Sequence, residues 1–68
     1  MSEAIKNALA REEGKLVRQI ANAEATVAVM EVLGDNAKER NKHERQLQAI
    51  KDTKANIAKL KKACDALK

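Results

Sequence analysis

The apolar residues of the first half of the chain recur at intervals of three or four positions. This spacing matches the seam of a heptad repeat, whose first and fourth residues face a partner helix. The seam positions are Leu9, Leu16, Ile20, Ala23, Val27 and Met30. A second stripe of apolar residues runs beside them: Val17, Ala21, Ala28 and Val32. Beyond residue 16, the predicted helix therefore has an apolar surface that is too wide for one partner helix.

The second half of the chain has a narrower apolar stripe. It contains Ile50, Ile57, Leu60, Cys64 and Leu67, with Leu47 on its flank. Toward the middle of the chain the same helical face becomes polar, at Asn36, Glu39, His43 and Gln46. The second predicted helix is thus apolar mainly in its C-terminal part.

A Gly-Asp-Asn break separates the two periodic segments. Gly34 suits the left-handed position that ends a helix, and Asn36 followed by Glu39 has the spacing of a helix N-terminal cap. We therefore predict helices over about 3–33 and 37–67, joined by a turn at 34–36, in a single helical-hairpin domain covering residues 1–68. The predicted fold class is all-α, with two long antiparallel helices that form an αα-hairpin. Gly14 falls inside the first helix, either as a tolerated weak point or as a hinge or close helix crossing.

Folding such a hairpin about residues 34–35 brings unlike halves of the two helices together. Val27 comes opposite His43, and Ile57 comes opposite Glu13. Because a closed monomer would leave apolar surface on both helices unpartnered, we predict assembly into a homo-oligomeric helical bundle. The predicted interface consists of Leu16, Ile20, Val27, Met30 and Leu33 from the first helix and Ile50, Ile57 and Leu60 from the second. In the alternative, the apolar half of the first helix is a docking groove for a helix of another protein.

Length and composition favour the same architecture. A chain of 68 residues is near the lower limit for one hydrophobic core, and at this size stability usually needs disulfides, a metal or oligomerisation. Cys64 and His43 are the single cysteine and histidine, so we expect no intrachain disulfide, no metal site and no cofactor. The absence of aromatic residues and proline is typical of long helices that pack through many small contacts. With neither a membrane-spanning segment nor a signal-peptide pattern, we expect a cytoplasmic protein.

Charge is unevenly distributed between the two predicted helices. Residues 1–35 contain four Lys/Arg and six Asp/Glu, a net charge of −2, whereas residues 36–68 contain ten Lys/Arg and four Asp/Glu, a net charge of +6. This division predicts either attraction between the helices or a basic face of the second helix that binds nucleic acid. The candidate residues of that face are Lys38, Arg40, Lys42, Arg45, Lys54, Lys61 and Lys62. Without aromatic residues to stack on bases, such binding would be limited to the nucleic-acid backbone.

Catalytic chemistry has few candidates in this chain. His43 and Cys64 are about 31 Å apart at 1.5 Å per residue of one helix, so they cannot form a dyad within one chain. The sequence contains no phosphate-binding loop and no paired metal-ligand motif. We therefore expect no enzymatic activity.

Two resemblances concern the architecture. The segment 34–50, GDNAKERNKHERQLQAI, resembles in general pattern the turn and polar second-helix start of small helical-hairpin co-chaperones of type III secretion needle subunits. The aromatic residues common in that group are absent here. The predicted hairpin is also similar in shape to Rop-type RNA-binding hairpin dimers, with which it shares no motif.

The residue pattern favours a small non-enzymatic interaction protein that self-associates. Its expected role is that of an adaptor, assembly factor or small chaperone, a class that includes accessory proteins of phages and secretion systems. The alternative function is that of a nucleic-acid-binding helical bundle that uses the basic face of the second helix.

Overall fold

Two long helices form the part of the chain that the computed structural model describes, which is residues 2–66, with side chains from residue 3 onward. Helix α1 is Ser2–Leu33 and helix α2 is Ala37–Ala66, and the two pack against each other. The molecule measures 50 × 14 × 12 Å. Since the 32 residues of α1 are about 48 Å long at 1.5 Å per residue, the helices lie side by side along the long axis. The described residues contain no strand, so the all-α class is confirmed and the fold is a two-helix hairpin. Leu67, predicted in the second helix, lies outside the described residues.

The turn has the backbone chemistry that its sequence predicts. Gly34 has a φ of 89°, and its N–H donates a hydrogen bond to the carbonyl of Met30 at 2.9 Å, which closes α1. The Oδ1 of Asn36 accepts a hydrogen bond from the N–H of Glu39 at 2.9 Å, as an N-cap side chain does. The carbonyl of Asn36 accepts a bond from the N–H of Arg40 at 3.0 Å, which begins α2. Both predicted caps are confirmed.

Helix α1 runs without interruption through Gly14. A Cβ atom placed on Gly14 would meet no other atom within 4 Å, which excludes a close helix crossing at this position. Gly14 is therefore a weak point of the helix rather than a packing requirement.

One heptad seam on each helix holds the hairpin together. Along both helices, the less exposed side chains recur at intervals of four and three residues. On α1 they are Ile5, Leu9, Glu12, Leu16, Gln19, Ala23, Thr26 and Met30, and on α2 they are Glu39, His43, Gln46, Ile50, Thr53, Ile57, Leu60 and Cys64. We call these sixteen residues the seam. The most buried members, each at most 9% exposed, are Ala23, Thr26, Ile50, Thr53 and Ile57.

The seam differs from the predicted one at two positions of α1. The sequence pattern placed Ile20 and Val27 in it, whereas the structure places Gln19 and Thr26 there. Ile20 is consequently 37% exposed, and Val27 lies at the edge of the seam. The apolar stripe of α1 is wide enough for both registers, and the hairpin uses the more polar one.

Threonine side chains explain why the more polar register can be buried. The hydroxyl of Thr26 donates to the carbonyl of Asn22 at 3.1 Å, and that of Thr53 donates to the carbonyl of Ala49 at 3.0 Å. Each hydroxyl is thus satisfied within its own helix, and only the methyl group is left to pack. Together with Ala23, these small side chains are among the most buried of the hairpin.

Candidate functional site

The seam divides the surface of the hairpin into two long sides. Successive residues of a helix are turned by about 100°, so the residue after a seam residue and the residue before one lie on opposite sides of the seam. One groove is lined at its rims by residues that follow seam positions, such as Ile20 and Leu47, and a second groove by residues that precede them, such as Lys15 and Lys59. Positions directly after a seam residue are here called following positions, and their surface is the apolar side. Positions directly before a seam residue are called preceding positions, and their surface is the basic side.

The apolar side contains a shallow groove of about 400 Å³. Its lining residues are Ile20, Ala23, Glu24 and Val27 from α1 and His43, Leu47, Ile50 and Lys54 from α2. Ile20 is 37% exposed and Leu47 is 49% exposed, and Val17, one turn from Ile20, is 68% exposed. This groove therefore joins large aliphatic side chains of both helices into one patch in contact with solvent.

The two rims of the apolar side carry opposite charges. The following positions of α1 contain Glu13, Glu24 and Glu31 against Lys6, a net charge of −2. Those of α2 contain Arg40, Lys51, Lys54 and Lys61 against Glu44 and Asp65, a net charge of +2. The apolar side is neutral as a whole and is acidic along α1 and basic along α2.

The basic side contains a larger groove, of about 660 Å³. Its lining residues are Ala8, Arg11, Glu12, Lys15 and Arg18 from α1 and Asn56, Lys59 and Leu60 from α2. Four cations and one carboxylate give this groove a net charge of +3, and the Nζ of Lys15 lies 3.9 Å from the Oε2 of Glu12. The preceding positions over the whole side contain Arg11, Lys15, Arg18, Lys38, Lys42, Arg45 and Lys59 against Asp52, a net charge of +6.

The residues predicted for an oligomer interface fall into three groups. Ile50 and Ile57 are 9% and 8% exposed within a single chain, so they have little surface left for a second chain. Leu16, Met30 and Leu60 are half-buried members of the seam. The others remain accessible: Ile20 and Val27 line the apolar groove, and Leu33 is 76% exposed at the end of α1.

The seven residues predicted for a nucleic-acid face are all exposed but do not share one face. Three lie at preceding positions, on the basic side: Lys38, Lys42 and Arg45. Three lie at following positions, on the apolar side: Arg40, Lys54 and Lys61. Lys62 is on the outer surface of α2, and Arg40 is 3.1 Å from the carboxylate of Asp35.

Sequence reasoning missed the contribution of α1 to the basic side. Arg11, Lys15 and Arg18 were hidden by the net negative charge of their helix, although their spacing of four and three residues places them along one line. Each directly precedes a seam residue, and that signal becomes visible only when the seam register is known. The relevant division of charge in this hairpin is between its two sides rather than between its two helices.

Polar atoms within the seam lack hydrogen-bond partners. The Oε1 atoms of Gln19 and Gln46, the Oε2 of Glu12 and the Nδ1 of His43 are buried and form no hydrogen bond with the described residues. Leaving such a group unsatisfied typically costs about 1–3 kcal/mol. The predicted mismatch between the helices is therefore present inside the hairpin, as buried polar groups beside aliphatic ones.

The structure keeps the two catalytic candidates of the sequence apart. His43 and Cys64 both belong to the seam of α2 and are separated by most of its length. Within residues 2–66, no three His, Cys, Asp or Glu side chains are grouped so that they could hold a metal ion. No helix in this part of the chain is sufficiently long and apolar to cross a membrane.

Comparison with models of known protein families, with curated protein sequences and with solved structures finds no match to this chain.

Proposed function

We propose that this protein is a small, non-enzymatic interaction module that self-associates through its apolar side. Two copies of the hairpin would form a four-helix bundle, which acts as an adaptor, assembly factor or small chaperone. The observation that carries this proposal is the groove between Ile20 and Leu47, which keeps large aliphatic side chains of both helices exposed. Contiguous apolar surface of this kind marks interaction sites on soluble proteins.

The size of the apolar side fits a dimer. The hairpin is 50 Å long and 14 Å wide, so one side has a projected area of about 700 Å², close to the roughly 800 Å² per partner of a standard protein interface. A hairpin with a seam this polar has little hydrophobic core of its own, and chains of this length commonly gain stability by oligomerisation. Association would supply the apolar burial that one hairpin lacks.

The charged rims favour a second copy of the same chain as the partner. Because the α1 rim has a net charge of −2 and the α2 rim has a net charge of +2, two apolar sides are complementary when α1 of each copy faces α2 of the other. A twofold axis parallel to the helices gives this arrangement, with both turns at the same end of the bundle. A twofold axis across the helices would instead bring the two acidic α1 rims together.

The proposal is tested with a pair of matched variants, Ile20→Asp and Val29→Asp. Ile20 and Val29 have nearly equal exposure, 37% and 39%, but Ile20 follows a seam residue and Val29 precedes one, so they lie on opposite sides. A dimer of Ile20→Asp buries two carboxylates and lacks the apolar contribution of two isoleucines. Together these changes make the free energy of association less favourable by at least about 3 kcal/mol. The dimer dissociation constant should therefore rise by a factor of roughly 100 or more in Ile20→Asp and change little in Val29→Asp.

Sedimentation equilibrium of the wild type and both variants over the same range of concentration gives the dissociation constants. Equal weakening by the two substitutions would show that the apolar side is not the interface. A wild-type protein that is monomeric at every concentration would remove self-association altogether and leave the apolar side to a helix of another protein.

A further inference from the structure

The basic side is a second surface that self-association through the apolar side would leave uncovered. The two sides face in opposite directions across the seam, so two hairpins joined by their apolar sides expose their basic sides on the outer faces of the bundle. An inference about the basic side is therefore independent of the proposed dimer, and it applies equally to a monomer.

Positive charge converges on the basic groove from both helices. Arg11, Lys15 and Arg18 line one wall and Lys59 lies on the other, whereas Glu12 is the one carboxylate among the lining residues. The Oε2 of Glu12 is buried and lies at the edge of ion-pair distance, 3.9 Å from the Nζ of Lys15. Because one carboxylate can neutralise at most one of the four cations, most of this positive charge is available to an anionic ligand.

We propose that the basic side binds the phosphate backbone of duplex nucleic acid, with Arg11, Arg18 and Lys59 as its principal contacts. Binding to a backbone is driven by neutralisation of phosphates and release of counterions, and it requires clustered Lys and Arg but no apolar core. The basic side has that composition, with a net charge of +6 and Val29 as its one large aliphatic residue among the described residues. An acidic protein partner is less well matched, because protein interfaces are centred on buried apolar and aromatic side chains.

The extent of the basic side agrees with a nucleic-acid strand. Its cations extend from the level of Arg11 to that of Lys38, which lies beside residue 30 of α1 across the hairpin. That distance is about 29 Å at 1.5 Å per residue, the length of eight or nine phosphates at 3.4 Å spacing in a B-form strand. Single strands are disfavoured because the chain has no aromatic side chain on which unpaired bases could stack. The proposed binding is therefore to a duplex and independent of base sequence.

The test uses two triple variants of the full chain that lose the same charge at different places. The basic-side variant combines Arg11→Gln, Arg18→Gln and Lys59→Gln, and the control combines Lys51→Gln, Lys61→Gln and Lys62→Gln, none of which lines either groove. All six residues are exposed, so both variants should retain the wild-type helical circular dichroism. Binding to a fluorescein-labelled 20-base-pair DNA duplex is measured by anisotropy at 50, 100 and 200 mM salt. The same measurement is made with an RNA duplex, a single strand and poly-glutamate.

For the wild type, contact of the seven cations of the basic side with phosphates predicts affinity that falls about 6,000-fold between 50 and 200 mM salt. The slope of log affinity against log salt should be about −6.3 in the wild type and the control, and about −3.6 in the basic-side variant, which retains four of these cations. At 50 mM salt the basic-side variant should bind roughly 100-fold more weakly than the control. If the triple variant loses its helical signal, each single substitution is measured instead and should reduce the slope by about 0.9.

Several results would overturn the proposal. They are the absence of duplex binding at 50 mM salt, equal loss of affinity in the two triple variants, and binding of poly-glutamate or the single strand as tight as that of the duplex. Equal loss would mean that binding follows net charge alone. Tight binding of poly-glutamate would assign the basic side to an acidic protein.

Discussion

Replacing Gln19 by leucine should stabilise the hairpin, because it removes a buried polar group that has no hydrogen-bond partner. The Oε1 of Gln19 is buried in the seam without a hydrogen bond, and leaving such an acceptor unsatisfied costs about 1–3 kcal/mol. Leucine has a similar size, at least as high a helix propensity and no polar atom. We therefore expect Gln19→Leu to raise the free energy of unfolding by about 1–3 kcal/mol. For a domain of this length each kcal/mol raises the melting temperature by roughly 4–8 °C.

The control for this experiment is Gln48→Leu, which makes the same chemical change on the outer surface of α2. Gln48 is exposed, and its Nε2 donates to the Oδ1 of Asp52 at 3.0 Å. Its replacement should change the free energy of unfolding by no more than about 0.5 kcal/mol, as is usual for surface substitutions. Urea unfolding of both variants and the wild type is followed by circular dichroism at one fixed protein concentration, because association also contributes to stability. A Gln19→Leu variant that is no more stable than Gln48→Leu would refute the claim that the seam contains uncompensated polar groups.

Further predictions concern the two glycines and the α2 cap. Gly14→Ala should stabilise the protein by about 0.5–1 kcal/mol, because the added methyl meets no atom within 4 Å and the helix gains propensity. Gly34→Ala should destabilise it by about 1 kcal/mol or more, since φ at this position is 89°. Urea unfolding midpoints should therefore rise in Gly14→Ala and fall in Gly34→Ala. Midpoints that change in the same direction would contradict the backbone conformations described above. Asn36→Ala should cost about 0.5–2 kcal/mol through loss of the bond to the N–H of Glu39, and Asn36→Asp should retain most of the stability. Thermal melts of the two Asn36 variants compare these values, and indistinguishable melts would argue against the cap.

Local chemistry in the sequence predicts the helices and the turn well. Gly34 and Asn36 act through hydrogen bonds to residues three or four positions away, so their roles depend on little beyond their immediate neighbours. The sequence left open whether α1 continues through Gly14. The helix is continuous there, because a single glycine costs too little free energy to end a helix of 32 residues.

The seam register of α1 could not be predicted in the same way. Ile20 and Val27 are more hydrophobic than Gln19 and Thr26, and a pattern based on one helix selects them. The register depends instead on packing against the facing helix, whose most buried residues are Ile50, Thr53 and Ile57. Four seam residues of α1 were predicted correctly, but the line of Arg11, Lys15 and Arg18 becomes visible only when Gln19 and Thr26 are known to replace Ile20 and Val27 in the seam. The candidate sites therefore depend on a long-range packing choice, whereas the fold depends mainly on local signals.

Self-association is the central claim of this account, and the mass of the wild-type protein in solution tests it most directly. Sedimentation velocity with interference optics suits a chain that contains no Trp or Tyr, and it is combined with circular dichroism melts over a hundredfold range of concentration. We predict a discrete species of about twice the 7.5 kDa chain mass, with a melting temperature that rises with protein concentration. A species of 7.5 kDa throughout, with a melting temperature independent of concentration, would contradict the claim.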